Sequence, residues 1–126
     1  MGSIDELIYD LHSGDEKARA FAAEDIAFDG VPGGIKILIE RLELEESRFV
    51  REVIVNCLKG LKGREIVERI IPLLSSEDAF IRNASIEILS MQGEIATEFM
   101  RKMPTRIFAN SLWIFYSSLK ALTLLS

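Results

Sequence analysis

An all-α fold is predicted, an α-solenoid of about three helical hairpins followed by an atypical apolar C-terminal segment. Three observations carry that expectation. Apolar residues recur at offsets of three, four and seven through residues 4–93, the spacing that gathers side chains on one face of a helix. A segment built around one arginine occurs three times. Proline and glycine are sparse, at 3 and 8 of 126 residues, which suits helices joined by short turns.

The repeated segments are GDEKARAFAAEDIAFDG (14–30), EESRFVREVIVNCLKGLKG (45–63) and EDAFIRNASIEILSMQG (77–93). They align on Asp15, Ala18 and Arg19, on Ser47, Val50 and Arg51, and on Asp78, Ile81 and Arg82, with the arginines 32 and 31 residues apart. Beyond each arginine the stripe continues as Ala22/Ala23/Ile26, Ile54/Val55/Leu58 and Ser85/Ile86/Leu89. Asp15, Ser47 and Asp78 are N-cap residues in this reading, because their side-chain oxygens can accept the free N–H groups of a first turn. Gly30, Gly63 and Gly93 close the segments as left-handed caps.

A second set of helices lies between these. Ile4, Leu7, Ile8 and Leu11 share a face, as do Ile35, Leu38, Ile39 and Leu42 after the turn Val31-Pro32-Gly33-Gly34. Ile66, Ile70, Leu73 and Leu74 repeat the arrangement, with Pro72 late in the helix. Each unit is therefore a helix–turn–helix of roughly thirty residues, and such a hairpin must stack on neighbours to bury its apolar face.

A unit of this length, with Asp-x-x-apolar-Arg opening its second helix and glycine closing it, resembles HEAT repeats. It looks most like the short bacterial and archaeal subclass known as PBS-lyase HEAT-like repeats. The likeness covers residues 4–93 and implies right-handed stacking. It also implies that Asp15, Arg19, Arg51, Asp78 and Arg82 are structural, bridging adjacent units or capping helices; Ser47 departs from the pattern. Relatives of this kind are mostly non-catalytic protein-binding scaffolds, and that is the function expected here. The alternative implied by the resemblance is a bilin lyase-like component that handles phycobiliprotein chromophores. A third HEAT-like group, the deoxyhypusine hydroxylases, binds two iron ions through paired His-Glu motifs, and a chain whose one histidine is His12 lacks those ligands.

Charge narrows the partner. Residues 1–93 hold 18 acidic against 11 basic residues, a net of −7, and the whole chain carries −5. An acidic body gains nothing from counterion release, so nucleic acid is excluded and another protein is expected. Second helices of stacked hairpins line one side of a solenoid. Their solvent-facing residues, Glu24 and Asp25, then Glu52, Asn56 and Lys59, then Asn83, Glu87 and Ser90, are the expected partner surface. No catalytic, cofactor or metal residue is expected. No phosphate-binding glycine loop or nucleophile elbow occurs, His12 reads as a solvated loop histidine, and Cys57 lies deep in its helix, away from the N-terminal field that activates a thiol. One cysteine permits no internal disulfide, and the N-terminus is acidic at Asp5, Glu6 and Asp10, so a cytoplasmic protein is expected.

Residues 94–126 depart from the repeat and are expected to form an atypical helical tail, separate from repeats at 1–93. Residues 107–126 hold 13 apolar residues in 20, with Trp113, Phe115 and Tyr116 adjacent and Lys120 the one charge. Three readings stand. The first is a terminal cap on the stack or a homodimer contact. The second is a membrane segment, which Asn110, the serines and Lys120 disfavour. The third is an out-of-frame product. Back-translating residues 102–115 and reading one nucleotide upstream permits KDADKDIRKFALDI, a further Asp-x-x-Ile-Arg helix. On that reading, genomic DNA beyond the codon of Ser90 keeps the upstream frame open and encodes more repeats. Sequencing decides it: a genomic frame that ends at Ser126 overturns the out-of-frame origin.

Overall fold

The computed structural model describes residues 3–101. Its elements are α1 (Ile4–Leu11), α2 (Glu16–Phe28), α3 (Gly34–Leu44), α4 (Arg48–Gly60), α5 (Arg64–Ile70), a 3₁₀ turn (Ile71–Ser75), α6 (Ala79–Ser90) and α7 (Glu94–Arg101). The described residues contain no strand, so the all-α class holds. None of these helices is long and apolar enough to cross a membrane. The chain divides into two compact units, one ending at Leu61 and one beginning at Lys62. The cap, dimer, membrane and out-of-frame readings of residues 107–126 lie outside the described residues.

Polar side chains open four of the helices. Ser3 accepts the N–H of Glu6, Asp15 that of Lys17, Ser47 that of Val50 and Asp78 that of Phe80. Each removes one orphan donor from a first turn, an effect worth about 1 kcal/mol per cap. At the far ends, Gly30 and Gly93 take left-handed φ values of 63°. Gly63 differs from the expected cap. Helix α4 stops at Gly60, and Gly63 instead precedes α5 with φ 124° and ψ −178°, a conformation open essentially to glycine.

In the first unit, α1 packs on α2 and α3 on α4, while α2 also contacts α3 and packs broadly along α4. Two helical hairpins thus lie against each other through their second helices. The inner face of α2 is made of Ala20, Ala22, Ala23 and Ile26, small side chains that bring neighbouring axes close. Leu7 and Leu11 of α1, Leu38, Ile39 and Leu42 of α3 and Val50, Ile54, Val55 and Leu58 of α4 fill the remaining core.

In the second unit, α5 and the 3₁₀ turn pack on α6, and α7 packs on α5. The expected helix through Leu74 changes character at Ile71 because Pro72, without an N–H and with a ring that crowds the preceding turn, cannot continue an α-helical ladder. The tighter turn still buries Ile71 and Leu74. Along α6, Ile86 is only half-buried; Ile81, Ala84, Ser85, Ile88 and Leu89 are inside. Buried Ser85 donates to the Ile81 carbonyl at 2.7 Å, which satisfies its hydroxyl.

Helices α1, α3, α5 and α7 begin at residues 4, 34, 64 and 94, a constant step of 30. The first eight residues of the C-terminal segment are therefore helical and start on the same step. Ala96 of α7 is buried, and the Phe99 ring lies 6.0 Å from the Arg64 guanidinium.

Leu58 is fully buried, and Leu58→Ala is expected to cost about 2–5 kcal/mol. Leu44 is 64% exposed, so Leu44→Ala should stay within about 0.5 kcal/mol of the parent. Denaturant unfolding monitored by circular dichroism checks both, and equal losses would contradict the packing.

Candidate functional site

Each repeat arginine fastens the turn before its own helix. Arg19 Nη1 donates to the Ser13 carbonyl at 2.8 Å, Arg51 Nε to the Glu45 carbonyl at 2.7 Å, and Arg82 Nη1 to the Ser76 carbonyl at 2.7 Å. The acceptor lies six residues upstream in all three. That upstream residue also uses its side chain. Ser13 Oγ, Glu45 Oε2 and Ser76 Oγ each accept the N–H of the N-cap residue two positions on, at 3.1 Å. The turn is thus held from both sides, and its backbone groups find partners that no helix ladder supplies. The sequence signal for Ser13, Glu45 and Ser76 was available, since all three lie two residues before the aligned N-caps.

Glu45 does more than its serine counterparts. It is 1% exposed, and its carboxylate receives Arg19 in a two-pronged pair, Nε to Oε1 at 2.8 Å and Nη2 to Oε2 at 3.1 Å. Arg41 Nε lies 3.4 Å from Oε1. Burial alone would push the Glu45 carboxyl up. The Arg19 hydrogen bonds, the Ser47 N–H and the Arg41 charge outweigh it and hold the group below the ordinary carboxylate range. The same hydrogen bonds raise Arg19 against the opposing effect of burial. Because Arg19 belongs to α2 and Glu45 to the turn before α4, the pair ties one hairpin to the next. Ser47 adds a second tie, its hydroxyl donating to the Glu16 carboxylate.

His12 caps α1 and is exposed. Its Nδ1 lies 2.9 Å from Arg41 Nη1. An arginine only donates, so Nδ1 is the acceptor in this contact. Cys57 is half-buried, and burial, followed by the Glu24 charge, pushes its thiol up; a protonated thiol is a poor nucleophile. Among the described residues no cluster of three or more His, Cys, Asp or Glu side chains is placed to hold a metal ion.

The expected partner residues lie on the outer faces of the second helices. In the first unit Glu24 and Asp25 of α2 are exposed, as are Glu52 and Asn56 of α4, with Lys59 half-buried. In the second, Asn83 and Glu87 of α6 are exposed and Ser90 is half-buried, its hydroxyl donating to the Glu87 carbonyl at 2.7 Å. Glu52 meets Arg48 at 3.3 Å, an exposed pair of little energetic weight. The sequence reading passed over the aromatic residues beside these groups. Phe21 and Phe28 on α2 are 65% and 92% exposed, and Phe49 on α4 is 52% exposed. The signal was their position off the buried stripe.

No protein-family model matches the chain, and no curated protein or solved structure matches it significantly.

A lowered Glu45 carboxyl makes an acid-dependent contribution to stability. It is fully present above the unfolded Glu value of about 4.3 and is lost as pH falls through the lower folded value. Glu45→Gln should flatten that acid limb and lower Tm at neutral pH, because Arg19 then loses its buried counter-charge. Tm measured against pH for both proteins tests this; parallel curves would show that Glu45 is not the linked group.

Proposed function

We propose that the protein is a non-catalytic protein-interaction scaffold built from HEAT-like helical hairpins. The recurrence of one arginine clasp in three alternate helices, α2, α4 and α6, is the observation that supports it most. An arginine guanidinium closes the turn before each of them by donating to the carbonyl six residues upstream, as expected of a repeated unit rather than of one specialised site. Polar groups inside the first unit are spent on holding turns and hairpins together. On α2 and α4 of that unit the exposed residues include the acids Glu24, Asp25 and Glu52 and the aromatic residues Phe21, Phe28 and Phe49. That composition favours a protein partner through contact and charge steering.

The test is a photo-reactive residue placed at Asn56 or Asn83 in the full chain, in its native cells. The expected result is a discrete protein adduct at both positions and none at Lys36, which is exposed on α3. Charge reversal by Glu52→Lys with Glu87→Lys should slow association with the captured protein and change its salt dependence. Adducts equal to those at Lys36, or association indifferent to charge reversal, would falsify the assignment.

A further inference from the structure

We propose that the outer face of α2 formed by Phe21, Glu24, Asp25 and Phe28 docks an amphipathic helix of another protein that carries apolar side chains together with lysine or arginine. The inference rests on the scaffold reading and names the chemistry of the partner.

Those four positions are spaced i, i+3, i+4 and i+7 and share one helical face. All four are exposed. The two phenylalanines stand about 10 Å apart along the axis, at 1.5 Å per residue, and the two carboxylates lie between them. Helix α2 is built inside out: alanines and one isoleucine face the core while both aromatic residues face solvent. Two exposed rings on one face offer apolar area that a partner can cover.

The carboxylates on this face, like Asp5, Glu6 and Asp10 on α1 and Glu40 and Glu43 on α3, are exposed without an ion pair among the described residues. Exposed acids on α4 and α5 meet an arginine one turn away: Glu52 with Arg48 at 3.3 Å, Glu68 with Arg64 at 3.3 Å and Glu65 with Arg69 at 3.2 Å. Glu24 and Asp25 have no ion pair among the described residues, and the last turn of α2 holds no basic residue. Asp25 and the C-cap Asp29 therefore sit at the negative end of the helix macrodipole, where carboxylates destabilise it. Folding gains nothing from that arrangement. A cationic partner would relieve it and cover the two rings at once. A second copy of this chain fits poorly, because a two-fold contact on this face would set Glu24 and Asp25 against themselves.

The experiment uses the full chain and a labelled synthetic amphipathic helix of leucine and lysine, with a leucine–glutamate helix as the counterpart, read by fluorescence anisotropy. The leucine–lysine helix should bind, more weakly as salt rises, and the leucine–glutamate helix should not. Phe21→Ala with Phe28→Ala should weaken binding about tenfold or more. Asp25→Lys should abolish binding while raising Tm, because it places a cation at the helix C-terminus. That opposite movement separates a docking residue from a structural one. Binding of both peptides alike, or binding unchanged in the phenylalanine variant, would reduce the effect to general attraction by an acidic protein and overturn the proposal. If these variants keep the protein captured at Asn56 and Asn83, the α2 site fails and the scaffold reading survives.

Discussion

The first unit is organised by one buried carboxylate. Glu45 is 1% exposed, and an ionised group taken out of water costs several kcal/mol unless charge and hydrogen bonds replace its hydration. Its replacements come from both hairpins: Arg19 from α2, Arg41 from α3 and the Ser47 N–H from the start of α4. Any slide of α2 along the α3–α4 connection would strand that charge. Serine does the capping part of the same work at positions 13 and 76. The extra methylenes and the charge of Glu45 therefore serve the reach to Arg19, and their effect is to fix how the hairpins register rather than to close a turn.

Packing is consistent with that constraint. Alanines at 20, 22 and 23 let α4 and the other neighbours of α2 approach closely, and the branched side chains of α4 supply the volume. A contact face of small residues gives less shape specificity than interlocked large ones. The charged tie at Glu45 and the Ser47–Glu16 hydrogen bond supply what the alanines do not. In the second unit the division of labour differs. The clasp is carried by neutral Ser76, and the core by Ile66, Val67, Ile70, Ile71, Ile88 and Leu89, so that unit relies more on apolar volume.

Features set by near neighbours in the chain were legible in the sequence. The N-caps at Asp15, Ser47 and Asp78 were readable because capping depends on residues two or three positions apart. The buried stripes of α2 and α4 were readable because helical period decides them. Glu45 was not, since its burial depends on an arginine 26 residues away and an isolated glutamate looks like a surface residue. Period alone places Ile86 in the core, whereas α6 leaves it half-buried and buries Ile88 and Leu89 fully. Gly63 was misplaced because α4 stops early and the left-handed requirement belongs to the start of α5. Of the outer faces, the polar residues were legible. Phe21 and Phe28 were overlooked because aromatic residues are expected inside.

Helix α2 breaks two local rules on a single face. Its large apolar residues point outward, and its carboxylates gather at the end where the backbone dipole opposes them. Helix α4 has the same length and departs less: Phe49 is exposed, but Val50, Ile54 and Val55 are buried, Glu52 has Arg48, and Lys59 occupies the last turn. The two helices share a packed boundary, so the fold requirements of that boundary do not account for the difference. Local choices that oppose stability without a compensating contact inside the molecule are expected where function sets the sequence. On α2 the two departures also complement each other. Rings that gain from leaving water flank carboxylates that gain from meeting a cation, and an apolar, basic helix satisfies both in one contact.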